Sequence, residues 1–332
     1  MSKLYPCDFE TKTAYVYTTD SRAKLEQEAD AYTKIGIPAR IDNNLPLPIS
    51  TQGAISMDNQ AQFNPLKLLY PLADKLEIYE NTFIKRINGH VAIADRGRIS
   101  AKYIVLATHY PFINIPGLYF MKLYQHRSYV IALENAPFIN GMYLDEKTNG
   151  LSFRNYANLL FIGGGDHKTG HNSKPQAGYE VLRTLAKSAY PNTTEKYHWA
   201  TQDCMSLDGI PYIGRLNGRN PHIYVATGFN KWGMTGSMVA AGIIRDLIVH
   251  GKSEYESLYS PCRSMFTKRL FVNIGAATVG LLRLGNPRCT HMGCKLKWNA
   301  EERTWDCPCH GSRFDSQGEV VNNPAINPCQ PI

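Results

Sequence analysis

Cys289-Thr-His291-Met-Gly-Cys294 and Cys307-Pro-Cys309-His310-Gly-Ser312 are the strings on which the reading of this chain turns. They place a Cys-x-His pair and a Cys-x-x-His pair on two loops, joined by a short hairpin-like stretch containing Trp298 and Trp305. One iron of a 2Fe–2S cluster takes two thiolates, here Cys289 and Cys307, and the other takes two imidazoles, His291 and His310. Exchanging two anionic thiolates for neutral imidazoles lowers the negative charge around the cluster and raises its potential. Zinc is the competing occupant, because six soft or borderline ligands fall between positions 289 and 310. Ordinary zinc sites pair Cys-x-x-Cys with a second such pair or with His-x-x-x-His, which this arrangement is not.

The two strings closely resemble those of a Rieske domain. That resemblance implies a disulfide between the two remaining cysteines, Cys294 and Cys309, tying the loops together, and a hydrogen bond from Ser312 to a cluster sulfur that tunes the potential. It also implies a small all-β subdomain. Here that subdomain is short: the apolar segment 270–282 ends close to Cys289, and only residues 285–332 remain for it. So small a core ordinarily needs staples. Asp166, His167 and His171 suggest the mononuclear iron of Rieske oxygenases as a second metal site. The oxygenase cluster, however, lacks the extra cysteine pair.

Upstream, HIYVAT (222–227) reads as a strand that enters a glycine-rich turn and a long helix. Ala240, Ile243, Ile244, Leu247 and Ile248 follow helical spacing, and Gly251 supplies the stop. AKYIVLATHYP (101–111) contains the short apolar run of a buried parallel strand. With LDGIPYIG (207–214) and YVATGFNKWGMTGSMVAAGIIRDLI (224–248), it resembles FAD-dependent oxidoreductases of the glycine oxidase and D-amino-acid oxidase type. The resemblance implies an FAD whose ring faces the turn and helix start, with Gly228, Phe229, Trp232, Gly233 and Thr235 as its contacts. Free N–H groups and the positive helix end suit a reduced, anionic flavin. No GxGxxG occurs in the sequence, so the usual cradle for the pyrophosphate has no counterpart and weak flavin binding is expected. Gly163-Gly164-Gly165 reads as a turn. The chain reads as starting inside the family pattern.

Elsewhere, Ser21 caps a helix to Ile35, and a second helix opens at Asn64-Pro65 and breaks or kinks at Pro71. Hairpin strands follow at 81–95, an antiparallel meander at 126–165, and a helix from about 177 to 190. His126-Arg127 is a candidate for meeting a substrate carboxylate. The expected class is α+β or α/β: a partial FAD-binding fold with a mixed antiparallel substrate-domain sheet, then an all-β cluster subdomain. The expected division is 1–251 oxidoreductase, 252–284 linker and 285–332 Rieske part.

Composition supports a folded protein of about two domains: 332 residues, 43% hydrophobic and 19% charged. A net charge of +8 is spread thinly without a basic run, so nucleic acid is not an expected partner. The first twenty residues carry no apolar leader, and the apolar stretch 270–282 is too short to span a bilayer, so a cytoplasmic protein is expected. Four of eight cysteines crowd into 289–309, as a metal centre requires and a secreted disulfide scaffold does not. The combination points to a flavin-linked oxidoreductase. It would pass electrons between a small amine or amino-acid-like substrate and the cluster, then to a redox protein or quinone-like acceptor. A flavin-free electron carrier and an inactive fragment are the alternatives.

Overall fold

Strand Glu10–Thr18 pairs antiparallel with Gly53–Gln62 and parallel with Met142–Asp145, which places it inside a sheet rather than at its rim. The computed structural model describes residues 2–113, 117–171, 178–264, 270, 275 and 278–330. They fall into two units. The first comprises 1–80, 128–166 and 175–200, and the second 81–127, 167–174 and 201–332.

The first unit carries most of an eight-stranded mixed sheet. Its strand order is Thr194–Ser206, Leu123–Glu134, Leu159–Lys168, Ser152–Tyr156, Met142–Asp145, Glu10–Thr18, Gly53–Gln62 and Arg40–Asp42. Alternation in Leu123–Glu134 and Leu159–Lys168 turns Tyr129, Ile131, Leu133, Leu160 and Ile162 into one core, closed by Tyr179 and Leu182 of helix Tyr179–Ala189. Helix Arg22–Lys34 anchors through Leu25. Ser21 stands at its N-cap with extended backbone, but its side chain makes no capping bond. Helix Pro65–Ala73 is capped by Asn64, whose side chain accepts from the amides of Leu66 and Lys67. It carries Pro71 two residues before its end, where the proline takes away the bond that an amide there would give the Lys67 carbonyl.

In the second unit, Ile104–Leu106 pairs parallel with Ile223–Thr227, which pairs antiparallel with Tyr212–Arg215. Helix Gly233–Val249 lays Ala240, Ile243, Ile244 and Leu247 on Ile213, Tyr224 and Ala226. The expected buried character of 104–106 holds only for Leu106: the strand is the rim of its three-stranded sheet and Val105 is 44% exposed. Strands Ile84–Asn88, Val91–Ala94 and Gly97–Ser100 form a separate meander. The C-terminal part is a four-stranded antiparallel sheet, Lys297–Asn299, Thr304–Asp306, Arg313–Phe314 and Val320–Asn322, over a core of Leu296, Phe314, Ala325 and cysteines. The apolar segment 270–282 lies largely outside the described residues. Among the described residues no helix is long and apolar enough to cross a membrane.

Candidate metal centre

The two ligand strings fold as the same turn used twice. The Cys289 amide donates to the Cys294 carbonyl and the Cys307 amide to the Ser312 carbonyl, each at 2.8 Å. Four residues after each cysteine, Gly293 and Gly311 donate back to the Cys289 and Cys307 carbonyls at 2.8 and 3.0 Å. Both glycines have φ near +80° (79° and 81°), a conformation that a Cβ penalises. The hairpin between the turns, stiffened by Trp298 against Trp305 with centroids 5.1 Å apart, sets the turns face to face.

This arrangement buries Cys289, Cys307 and His310 almost completely. The two thiols are hydrogen-bonded to each other. That contact, with burial opposing it, draws Cys289 below its ordinary value, while the same contact and burial hold Cys307 well above its own. The Ser312 hydroxyl reaches Cys289 and also accepts from the Ala325 amide at 3.0 Å. Burial pushes His291 down to about 4, and burial followed by the His291 ring pushes His310 down to about 3. Both rings are therefore neutral and keep a lone pair for a metal. They stand perpendicular, 88° apart, with centroids 5.0 Å apart. Among the described residues neither ring nitrogen of His310 has a hydrogen-bond partner, an expensive state unless a ligand completes it.

A disulfide joins Cys294 to Cys309, with Cα atoms 6.6 Å apart. Gly280 lies over it: a Cβ there would stand 2.4 Å from the Cys309 sulfur. The one group of three donors within 4.8 Å of one another among the described residues is Cys294, Cys307 and Cys309, two of them spent on the disulfide. Cys289, His291, Cys307 and His310 thus do not converge as tightly as four ligands around one zinc, whose bonds of ~2.0–2.3 Å keep donors within about 4 Å of one another. A two-iron cluster separates its thiolate pair from its imidazole pair, and these residues fit it. Replacing Cys294 and Cys309 together by Ser is expected to lower the cluster's potential and shorten its lifetime without removing a ligand. Redox titration and a time course of visible absorbance check this; wild-type values for both would make the bridge irrelevant.

The other candidates fare differently. Asp166, His167 and His171 do not form a metal-binding group among the described residues. His167 Nδ1 meets the Lys168 carbonyl at 2.9 Å and His171 Nε2 meets the Pro308 carbonyl at 3.3 Å, so both rings are held by main chain. Arg127 cannot greet a substrate carboxylate: it is 2% exposed and paired with Glu302. Burial pushes its neighbour His126 down to about 3 and leaves that ring neutral.

The strand end and turn expected to face a flavin are well defined. Gly228 has φ 73°, and a Cβ there would meet Leu123 Cδ2 at 3.1 Å. Asn230 locks the turn, donating to the Gly228 carbonyl at 2.7 Å and accepting from the Ser206 amide at 2.8 Å. Gly236 lets Phe229 pack on the helix, since a Cβ would stand 2.6 Å from its ring. Trp232, Gly233 and Thr235 are exposed where the helix begins, at the carboxyl end of strand Ile223–Thr227. Open α/β sheets bind ligands at that end. The family model described as FAD dependent oxidoreductase matches residues 2–247.

The chain belongs to that family.

A Rieske 2Fe–2S domain model matches residues 268–332 of this FAD dependent oxidoreductase. The chain is 35% identical to the Rieske 2Fe-2S iron-sulfur protein YhfW of Bacillus subtilis (strain 168), covering 98% of this chain and 75% of that protein. The alignment runs over 384 positions, more than the chain's 332 residues, so YhfW has stretches without a counterpart here. The cytochrome b6-f complex iron-sulfur subunit of Synechococcus elongatus (strain ATCC 33912 / PCC 7942 / FACHB-805) is 55% identical over 40 residues, 12% of this chain and 22% of the subunit. Among solved structures, glycine oxidase from Geobacillus kaustophilus superposes with a TM-score of 0.66 at 17% identity, covering 79% of this chain and 77% of that one. L-proline dehydrogenase from P. horikoshii superposes with 0.63 at 18% identity, covering 78% of each. The fold is therefore the glycine-oxidase type with an all-antiparallel Rieske subdomain.

For FAD, the residues present fit the ring side of the site: a glycine turn, an aromatic neighbour and a helix N-terminus. The sequence offers no GxGxxG to take the pyrophosphate.

Proposed function

We propose that this oxidoreductase moves electrons between a small amine or amino-acid-like substrate and a 2Fe–2S cluster held by Cys289, His291, Cys307 and His310, and from there to a redox protein or quinone-like acceptor. Functionally, the chain divides into 1–251 for substrate and flavin, 252–284 as a connection and 285–332 for the cluster. The observation that supports this most is the proximity of the two sites within one unit. Gly228 of the flavin-facing turn packs on Leu123, and Phe120, three residues earlier, meets the His310 ring edge-on with centroids 6.0 Å apart. The substrate class is supported by the fold neighbours, whose named activities concern glycine, L-proline and other L-amino acids.

Bound FAD exchanges electrons in pairs or singly, whereas the cluster carries one. The chain's own part is to fix both centres and to keep water from the cluster ligands Cys289, Cys307 and His310. Main chain at Gly228–Thr235 lines the ring side, and a neutral, buried His310 presents its imidazole toward the cluster.

The test is anaerobic addition of candidate amines and amino acids to iron-loaded protein with FAD, followed by low-temperature electron paramagnetic resonance. The reduced-cluster signal is expected to grow with one such substrate. A cluster that dithionite reduces but no substrate does would favour the flavin-free carrier, which the missing GxGxxG supports. In parallel, FAD titration is expected to show binding weaker by orders of magnitude than in a chain extended by a glycine-rich strand–helix unit. Several charge-assisted hydrogen bonds to phosphate, each about 1.5–3 kcal/mol, are at stake. Tight, stoichiometric FAD in the 332-residue chain would refute that expectation.

A further inference from the structure

Gln125 is 1% exposed and lies on the strand that supports the second cluster loop. Its Nε2 donates to the His310 carbonyl at 3.1 Å and to the Asn323 carbonyl at 2.8 Å. Its Oε1 accepts from Gln202, whose Nε2 also donates to the Gly311 carbonyl at 2.9 Å. Thr169 closes the chain by donating its hydroxyl to Gln202 Oε1 at 3.0 Å. Both hydrogens and the oxygen of the Gln125 amide are thus used. A flipped amide would turn its oxygen onto two carbonyls, so the network itself selects the orientation.

The surroundings leave no slack. A Cβ on Gly311 would stand 2.5 Å from Gln125 Cβ, and one on Gly170 would stand 2.6 Å from Pro308 main chain. Asn323 donates from its side chain to the Thr108 and Tyr110 carbonyls, both at 2.6 Å, pinning the segment that follows the last strand of the Rieske sheet. The loop bearing His310 is therefore held at its 310 and 311 carbonyls, and the segment after strand Val320–Asn322 at the 323 carbonyl, all bound by side chains from outside the Rieske sheet.

Resting on the assignment of His310 as a ligand, we propose that Gln125, braced by Gln202 and Thr169, is a positioning residue for the cluster: it fixes the His310 main chain, and through it the imidazole, against the oxidoreductase sheet. Loss of its two donors takes a bond from the buried His310 carbonyl and another from the half-buried Asn323 carbonyl, and the first loss is more costly than that of a solvated bond. The imidazole would then sample more than one orientation on its iron.

Iron-loaded full-length Gln125→Leu and Gln202→Leu are compared with wild type by electron paramagnetic resonance and by amide exchange across 307–312. Gln125→Leu is expected to broaden and shift the Rieske g-values and to raise exchange at Cys307 and Gly311 on the order of tenfold or more. Gln202→Leu is expected to do the same to a smaller degree, and it carries the test where Gln125→Leu yields no folded protein. Wild-type line shape and exchange in the folded variants would overturn the positioning role. Failure of the ligand assignment is distinguishable, because wild-type protein containing iron and sulfide would then show no Rieske signal at all.

Discussion

Protein purified anaerobically is expected to carry iron and acid-labile sulfide, and Cys289→Ser or His310→Ala is each expected to abolish its Rieske resonance. The two residues sit on opposite kinds of ligand and on different turns, so the pair of variants tests both halves of the centre. Cys289 is the more easily ionised thiol of the buried pair, and replacing it with a hydroxyl removes a soft anionic ligand that Ser cannot match. His310 is 2% exposed, and neither ring nitrogen finds a partner among the described residues. Truncation to Ala therefore removes the donor and leaves a buried hole in its place. Metal analysis and low-temperature spectra decide the matter. Zinc in place of iron in the wild-type protein would sink the assignment, as would a Rieske signal surviving in His310→Ala.

The second large effect is expected at Glu302. Its carboxylate lies between Arg127 and Arg313, and Arg313 also reaches Asp306 at 3.1 Å, with side-chain exposures of 13%, 2%, 6% and 1% in that order. Asn299 and Thr304 complete the shell around Asp306 at 3.1 and 2.8 Å. Charges so deeply buried tolerate their surroundings only as a set. Removing one carboxylate from such a set costs about 3–5 kcal/mol, because two guanidinium groups stay buried with less compensation. Glu302→Ala should therefore lower the unfolding midpoint of the second unit by roughly 6–20 °C. The Trp298–Trp305 pair on the same hairpin supplies a fluorescence readout. A shift below about 2 °C would show that Arg127 and Arg313 are adequately held by their other neighbours.

The cluster turns were legible because their chemistry is local: ligand types, spacing and the glycine four residues after each first cysteine all lie within six residues. The helix at 233–249 was legible for the same reason, its apolar spacing being strong and its stop a glycine. Strands Glu10–Thr18 and Gly53–Gln62 were not, since the first is half-buried along most of its length and the second runs from a buried start through an exposed middle to a buried Gln62. Neither shows the clean alternation that sequence reading depends on. Pro71 was read as a break or kink, and the helix ends two residues beyond it, at Ala73. Arg127 invited a substrate role that burial beside Glu302, 175 positions away, forbids. Gln125 and Gln202 carried no signal, because a glutamine becomes informative only when its amide is placed among buried carbonyls.

Those glutamines address carbonyls, and every residue type has the same carbonyl. At His310 and Gly311 the contact is thus written in main chain, and there only Gly311 is constrained by its side chain, since any Cβ would strike Gln125; elsewhere Glu302 and Asn323 make the contact through their own side chains. A foreign Rieske loop of the same backbone shape should be accepted as a graft with one glycine as its passport. The reverse transplant, moving this loop to another host, would need Gln125, Gln202 and Thr169 to travel with it.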